Sequence, residues 1–260
     1  MKRFDSKLSR LLLVLGAGFL FLSAVNLPAQ DSNEDKDKSD IQKRLDAAAH
    51  VMDEVMSVPD KAIPDKIMKG AKCVAVVPSM VKIAVGFGGS HGKGVATCRN
   101  ANGVWSAPAP FSITGGSWGL QLGGQAIDLV LLVMNQQGMD HLLASKFKIG
   151  ADASAAAGPI GRDAAADTDW KMKTEMLTYS RARGLFAGVD LNGSVVSQDK
   201  DETRLLYGKF IPFADILNGK VAPRGQDTAA FLHTVRKYSD EVREGKRAQL
   251  EAPAVNNASH

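Results

Sequence analysis

Hydrophobic residues in this chain follow two different periods, and the change of period separates predicted helices from predicted strands. From Ile41 to the helix-ending Pro59, apolar residues recur on one helical stripe, which predicts an amphipathic helix. A second, short helix is predicted at about 64–69, and a long last helix at about 226–244. From Lys72 onward, the pattern favours short strands interrupted by glycine.

The predicted strands are dense in glycine, which is typical of bulges and close backbone approach in a strongly bent sheet. Residues 81–87 and 93–98 are predicted to pair through a turn at Ser90–Gly92, and Asn192-Gly193 is predicted to close another hairpin. The other predicted strands are 73–77, 111–114, 117–122, 126–134, 148–157, 175–180, 184–191 and 194–197, and further helices are predicted at 138–145, 199–207 and 212–218. Together they predict an α+β fold: a glycine-rich antiparallel β core, a bent sheet or barrel-like, flanked by N- and C-terminal helices.

The N-terminal residues have the pattern of a secretory signal. Four basic residues precede an apolar run at 11–22, and small and polar residues follow. The run is shorter than the roughly 20 residues that a membrane-spanning helix needs. We therefore expect export to the periplasm or beyond, with an uncleaved inner-membrane anchor as the alternative. The predicted segments are a signal peptide at 1–29, a disordered linker at 30–40, one domain at 41–244 and a flexible tail at 245–260.

Charge argues against a nucleic-acid binder. The chain carries +4 at pH 7, with a pI of about 9.0. Four basic residues and one acidic residue lie in the predicted signal, so the remainder carries about +1. An anion-binding surface must therefore come from local clusters of basic residues.

The clearest local cluster of basic residues lies around the second predicted helix. Each lysine close to an anionic membrane contributes about 1 kcal/mol to binding. This cluster therefore predicts salt-sensitive lipid binding, and the alternative is the solvated face of a helix. Its members are Lys61, Lys66, Lys69 and Lys72, with Lys82 and Lys93 as neighbours that the fold could bring close.

Two cysteines, Cys73 and Cys98, fall in strand-like segments. An oxidising compartment would permit a disulfide between them, and two buried thiols are the alternative. The cysteines and histidines have none of the spacings that are typical of zinc sites, so we expect neither a metal nor another cofactor.

Two motifs resemble sequences with known chemistry. Residues 115–119 fit the G-x-S-x-G pattern, with Ser117 as the nucleophile of a serine hydrolase. That serine must lie between a strand and a helix, whereas 120–124 has the pattern of a strand or turn. The glycine-rich segment 86–94 lacks the full P-loop pattern, and we interpret it as a hairpin whose N–H groups and Lys93 could meet a phosphate.

Several short stretches, taken in their order, resemble the SYLF family and indicate an exported, bacterial-type member. The resemblance covers about residues 45–243. It implies binding of anionic phospholipids, usually phosphoinositides, without catalysis. Some members also bind actin, which an exported protein would not meet in its own cell. The stretches are Ile63-Pro64, Ala71–Pro78, Gly86–Gly89, Gly92–Gly94, Trp105–Pro108, Gly115–Gln121, Gly184–Val189 and Leu206–Gly208.

Three hypotheses follow from the sequence. The first is an exported module that binds anionic phospholipid head groups. The second is an envelope protein-interaction or structural module without lipid preference, whose protein partners are open. The third is a serine hydrolase that uses Ser117.

Overall fold

The structure of the protein is a computed structural model that describes residues 31–58, 63–85, 87–118, 123–160, 174–182, 185–187, 189 and 191–251. The chain divides into two compact units, 1–33 and 34–260, and the sheet belongs to the second. The helices are α1 (Asp31–Met56), α2 (Asp65–Gly70), α3 (Gln136–Leu143), α4 (Lys200–Tyr207), α5 (Phe213–Leu217) and α6 (Gln226–Glu251). The strands are β1 (Cys73–Val85), β2 (Phe87–Cys98), β3 (Ala109–Trp118), β4 (Gly123–Val133), β5 (Lys146–Lys148), β6 (Ala155–Ala157), β7 (Met176–Ala182), β8 (Leu185–Ala187) and β9 (Val195–Gln198).

The nine strands form one sheet in the order β5-β9-β3-β2-β1-β4-β7-β6, and β8 pairs with β7. Neighbouring strands are antiparallel, except that β6 and β7 are parallel. The path ends in two separate edge strands, β5 and β6, so along this path the sheet is open. The predicted α+β fold, an antiparallel core flanked by N- and C-terminal helices, is confirmed.

β1 divides the interior into two hydrophobic cores because successive side chains of a strand point to opposite faces. Val74 and Val76 pack in the first core, which α1, α2 and α6 cover. Cys73 and Ala75 pack in the second core, to which α3, α5, β5 and β9 contribute. All four side chains are at most 4% exposed. Both faces of the sheet are therefore buried along this part of β1.

The apolar stripe of α1 is buried as its helical spacing predicts. Leu45, Ala48 and Met52 are each 0% exposed in the first core. The helix begins at Asp31, so the segment 31–40 that the sequence predicts as a linker is helical. Within the part of the chain that the structure describes, no helix is long and apolar enough to cross a bilayer.

Cys73 and Cys98 lie directly opposite each other on β1 and β2 and form a disulfide. Their Cα atoms are 4.0 Å apart. In the neighbouring pair, Lys72 and Arg99, the Arg99 N–H donates to the Lys72 carbonyl at 2.8 Å. Hydrogen-bonded and non-hydrogen-bonded pairs alternate along antiparallel strands, so the two cysteines form a non-hydrogen-bonded pair, the type with the closer Cα atoms. The closed loop spans 25 residues, and loop-entropy arguments give it about 3 kcal/mol of stability.

The predicted turn at Ser90–Gly92 is wrong, because these residues lie inside β2. The chain reverses between Val85 and Phe87, which pair with each other. A Cβ on Gly94 would lie 2.8 Å from the Phe111 ring and closer still to the Val76 carbonyl oxygen. The glycine therefore permits close packing between strands. The predicted glycine-rich hairpin is present as the pairing of β1 with β2, and residues 87–94 lie in its second strand.

The predicted hairpin at Asn192-Gly193 is also wrong. Gly193 has the positive φ of 84° that such a turn requires, but the following strand, β9, pairs with β3 and β5. The Gly193 N–H donates to the Ile149 carbonyl at 2.8 Å, which directs the chain toward β5. A local turn signal thus predicts the reversal of the chain, while distant contacts decide which strand becomes the partner.

Two glycine substitutions test the packing explanation. Gly94→Ala should lower the free energy of unfolding by about 1–3 kcal/mol, because the added methyl group is forced against the Val76 backbone and the Phe111 ring. Gly116→Ala is the matched control, because its Cβ would meet nothing within 4 Å. Urea unfolding of both variants measures the difference, and equal stabilities would contradict the explanation.

Candidate functional site

Three of the predicted lysines lie together where α2 ends and β1 begins. α2 buries Ile67 and Met68 completely, at 0% exposure. This leaves Lys66 exposed and Lys69 half-buried at the helix surface, and the half-buried Lys72 follows two residues after the helix. Among the residues that the structure describes, none of these three lysines forms an ion pair with a carboxylate.

Arg99 joins these lysines, although the sequence analysis did not single it out. It lies opposite Lys72 just beyond the ends of β1 and β2, where the Arg99 N–H donates to the Lys72 carbonyl next to the disulfide. Like charges directly opposite each other on neighbouring strands repel. An anion that contacts both side chains would relieve that repulsion, so the pairing favours an anionic ligand.

The Trp105 ring holds Arg99 in place. The Arg99 guanidinium carbon lies 4.5 Å from the ring centroid, a cation–π geometry. The buried indole Nε1–H donates to the Ser239 hydroxyl of α6 at 3.0 Å, which fixes the ring. The Asn102-Gly103 turn brings Arg99 opposite Trp105, and this turn was the signal in the sequence that could have found Arg99.

We define the basic cluster as Lys66, Lys69, Lys72 and Arg99. The exposed Asp65 in the first turn of α2 is the acidic residue within this stretch, so four cations and one carboxylate leave a net charge of +3. A surface of this kind attracts phosphate groups without requiring a deep pocket.

Two other predicted lysines do not join the basic cluster. Lys61 lies outside the described residues. Lys82 lies in β1, ten positions after Lys72, which corresponds to roughly 30 Å at the usual rise per residue of a strand. The fold therefore separates Lys82 from the lysines that precede β1.

Lys93 has a different role, because it belongs to an ion-pair network. Its Nζ lies 2.8 Å from Glu202 Oε1 and 3.1 Å from Asp199 Oδ2. Arg44 of α1 contacts the same Glu202 carboxylate, which is 6% exposed. Burial works to lower the pKa of Lys93, but hydrogen bonds to Glu202 and Asp199 outweigh it and raise the pKa. Lys93 therefore stabilises the contact between α1, β2 and α4, and it is not part of the basic cluster.

Ser117 does not have the setting of a hydrolase nucleophile. It lies inside β3 and pairs with Gly88 of β2, and β3 continues to Trp118. A G-x-S-x-G nucleophile sits on a sharp turn between a strand and a helix. The backbone at Ser117 therefore does not match the geometry that this motif requires.

Comparison with known proteins finds similarity to one family. A family model described as "Ysc84: Las17-binding protein actin regulator" matches residues 114–238. SH3 domain-containing YSC84-like protein 1 of Rattus norvegicus is 28% identical over 223 residues, which are 83% of this chain and 65% of the rat protein. LAS seventeen-binding protein 3 of Saccharomyces cerevisiae is 32% identical over 169 residues, 63% of this chain and 36% of the yeast protein. These matches agree with the resemblance to the Ysc84, or SYLF, family that the sequence motifs indicated.

The extent of these matches limits what they imply. The chain matches just under two thirds of the length of the rat protein, and the family model begins after β2. The basic cluster lies before residue 114, outside the segment that the family model matches. The relatives are named as binding and regulatory proteins. Those names describe the relatives, while the chemistry of the cluster is a property of this chain's own residues.

Two lysine substitutions separate the structural role from the binding role. Lys93→Met should lower the free energy of unfolding by about 1 kcal/mol, a value kept small because the side chain is 41% exposed. Lys72→Met should change it by less than about 0.5 kcal/mol. Because the pKa of Lys93 is higher in the folded than in the unfolded chain, its contribution is present below the ordinary lysine pKa of 10.5 and is lost as pH rises through the folded pKa.

Urea unfolding at pH 7 and again above pH 11 measures both effects. The difference between wild type and Lys93→Met should shrink at the higher pH. A larger loss of stability for Lys72→Met than for Lys93→Met would contradict this division of roles.

Proposed function

We propose that this protein binds anionic phospholipid head groups, of the phosphoinositide-like class, without catalysis. The observation that carries the proposal is the basic cluster: three lysines without carboxylate partners among the described residues, next to Arg99 stacked on Trp105. Binding proteins of the same family support a binding role.

The strength of the charges fits a reversible surface interaction. Each basic residue close to an anionic membrane contributes about 1 kcal/mol, so the three lysines together would contribute about 3 kcal/mol. Because these side chains are exposed or half-buried, salt screens them over about 8–10 Å at ordinary ionic strength. Binding should therefore weaken steeply as salt rises.

We also propose that the protein is exported and works in the cell envelope. The basic and then apolar pattern at 1–29 supports this proposal. The disulfide between Cys73 and Cys98 supports it independently, because such bonds persist in oxidising compartments and are rare in the cytosol.

A protein-interaction module without lipid preference is the second candidate. The description of the family model names binding to the protein Las17 and regulation of actin, and this observation favours a protein partner. An exported chain would meet other proteins than these, so this candidate predicts an envelope protein as the partner.

Vesicle co-sedimentation tests lipid binding directly. The purified chain should bind vesicles that contain phosphatidylglycerol or a phosphoinositide more tightly than neutral phosphatidylcholine vesicles, and the preference should fade between 0.1 and 0.5 M salt. Changing Lys66, Lys69 and Lys72 together to Gln should weaken binding about 100-fold, because three favourable charges are lost.

Lys93→Gln is the matched control for the triple variant, because it removes a lysine that is already paired with Glu202. It should bind anionic vesicles within about threefold of wild type. Equal binding to anionic and neutral vesicles by the wild-type chain would refute the lipid proposal and favour the protein-interaction candidate.

Export and disulfide formation can be measured together. When the full gene is expressed with its own N-terminal segment, we expect the protein in the periplasmic or secreted fraction, with both cysteines blocked to thiol reagents until dithiothreitol is added. A variant that lacks residues 1–29 should stay in the cytoplasm with two reactive thiols after denaturation. Free thiols in the exported protein would count against the proposal.

A further inference from the structure

Phe210 is a large aromatic residue that the fold leaves exposed. α4 ends at Tyr207, and Gly208 caps the helix with a φ of 74° that reverses the direction of the chain. The chain then passes back beside the helix, so that the Phe210 ring lies over Lys200 and Arg204, with centroid distances of 5.8 Å and 5.7 Å to the two cationic groups. The side chain is 41% exposed.

The segment that follows Phe210 is held rigidly. The amide of Gln198, which is 9% exposed, donates to the Ile211 carbonyl at 2.7 Å and accepts from the Phe213 N–H at 3.1 Å. This clamp fixes the backbone on the C-terminal side of the ring. The ring is therefore presented to solvent in a fixed place, which lowers the entropic cost of binding through it.

The surroundings of the ring are positively charged. Lys200 and Lys209 are exposed and pair with no carboxylate that the structure describes, while Arg204 pairs with the exposed Asp201 at 2.7 Å. Three cations and one carboxylate leave a local net charge of +2. An exposed aromatic ring among cations is the combination that suits the interface of an anionic membrane, where the ring enters the head-group layer and the cations meet phosphates.

This patch lies at the same end of the sheet as the basic cluster. The Tyr207 hydroxyl at the end of α4 donates to the Pro108 carbonyl, immediately before β3. The start of β3 pairs with the part of β2 that leads to Arg99, since Ala109 lies opposite Ala96. The two charged surfaces are therefore connected through the same strand ends.

We propose that Phe210, together with Lys200, Arg204 and Lys209, forms a second contact with an anionic lipid surface, in which the ring inserts among the head groups. This inference rests on the proposed lipid-binding function and adds an apolar anchor to it. The anchor predicts that part of the binding resists salt, because burial of an apolar ring is not screened by ions.

The test compares the full-length chain with three variants in flotation against phosphatidylglycerol–phosphatidylcholine vesicles at 0.1 and 0.5 M salt. Phe210→Ser should weaken binding about five- to tenfold at both salt concentrations, because burial of the ring is lost. Phe210→Leu, which keeps an apolar side chain, should stay within about twofold of wild type. Ile83→Ser is the matched control, because Ile83 is more exposed, at 58%, but lies on the distal half of β1.

Each outcome decides a different question. Wild-type affinity in Phe210→Ser, or an equal loss in Ile83→Ser, would overturn the anchor while leaving the proposed function intact. Absence of any preference for anionic vesicles in the wild-type chain would overturn both. Binding of poly-glutamate that depends on Phe210, with unchanged vesicle binding, would assign the patch to an acidic protein surface and also overturn the anchor. Equal melting temperatures of all variants exclude unfolding as the cause.

Discussion

The pairing of β1 with β2 on one side and with β4 on the other is the constraint on which the rest of the structure depends. Since both faces of the first part of β1 are buried, the alternating side chains there pack into two different cores. A bulge between Val77 and Met80 resets the alternation, with Ser79 at a φ of 53° and its N–H bonded to Asp128 Oδ1 at 3.0 Å. Met80 thereby stays in the second core, and β1 extends beyond the cores to the exposed Ile83.

Ion pairs attach α1 to three separate elements. The charges in these pairs stabilise the fold and are not available to bind a ligand. Arg44 contacts Glu202 of α4, Glu54 contacts Arg181 of β7, and Asp53 contacts Lys237 of α6. The hydrogen bond from Arg181 holds the pKa of Glu54 below its usual value. Because each pair joins residues that are more than one hundred positions apart, these charges serve the docking of α1. The basic cluster and the cations around Phe210 take no part in this docking of α1.

Local patterns predicted the fold class, the buried stripe of α1 and the lysines of α2, because periodicity reports which face of an element is apolar. Local patterns failed to predict features that depend on contacts between residues far apart in the sequence. Gly92 carries the same signal in the sequence whether it lies in a turn or packs against Val77 and Met80, and only the three-dimensional packing separates the two. Lys93 and Lys72 are equally basic in the sequence, but Glu202, 109 positions away, neutralises Lys93. Arg99 was missed because its importance depends on Trp105 and on the strand opposite it.

The disulfide connects the proposed location of the protein to its proposed function. Cys73 directly follows Lys72, and Cys98 directly precedes Arg99. The covalent bond therefore fixes the two strands next to the pair of residues that carries like charges. Repulsion between those charges favours separation of the strand ends, and the bond opposes it. In an oxidising envelope the two cations are therefore held side by side, in the arrangement that a phosphate group can bridge. In a reducing compartment, where this disulfide would not persist, the two cations would be held together less firmly.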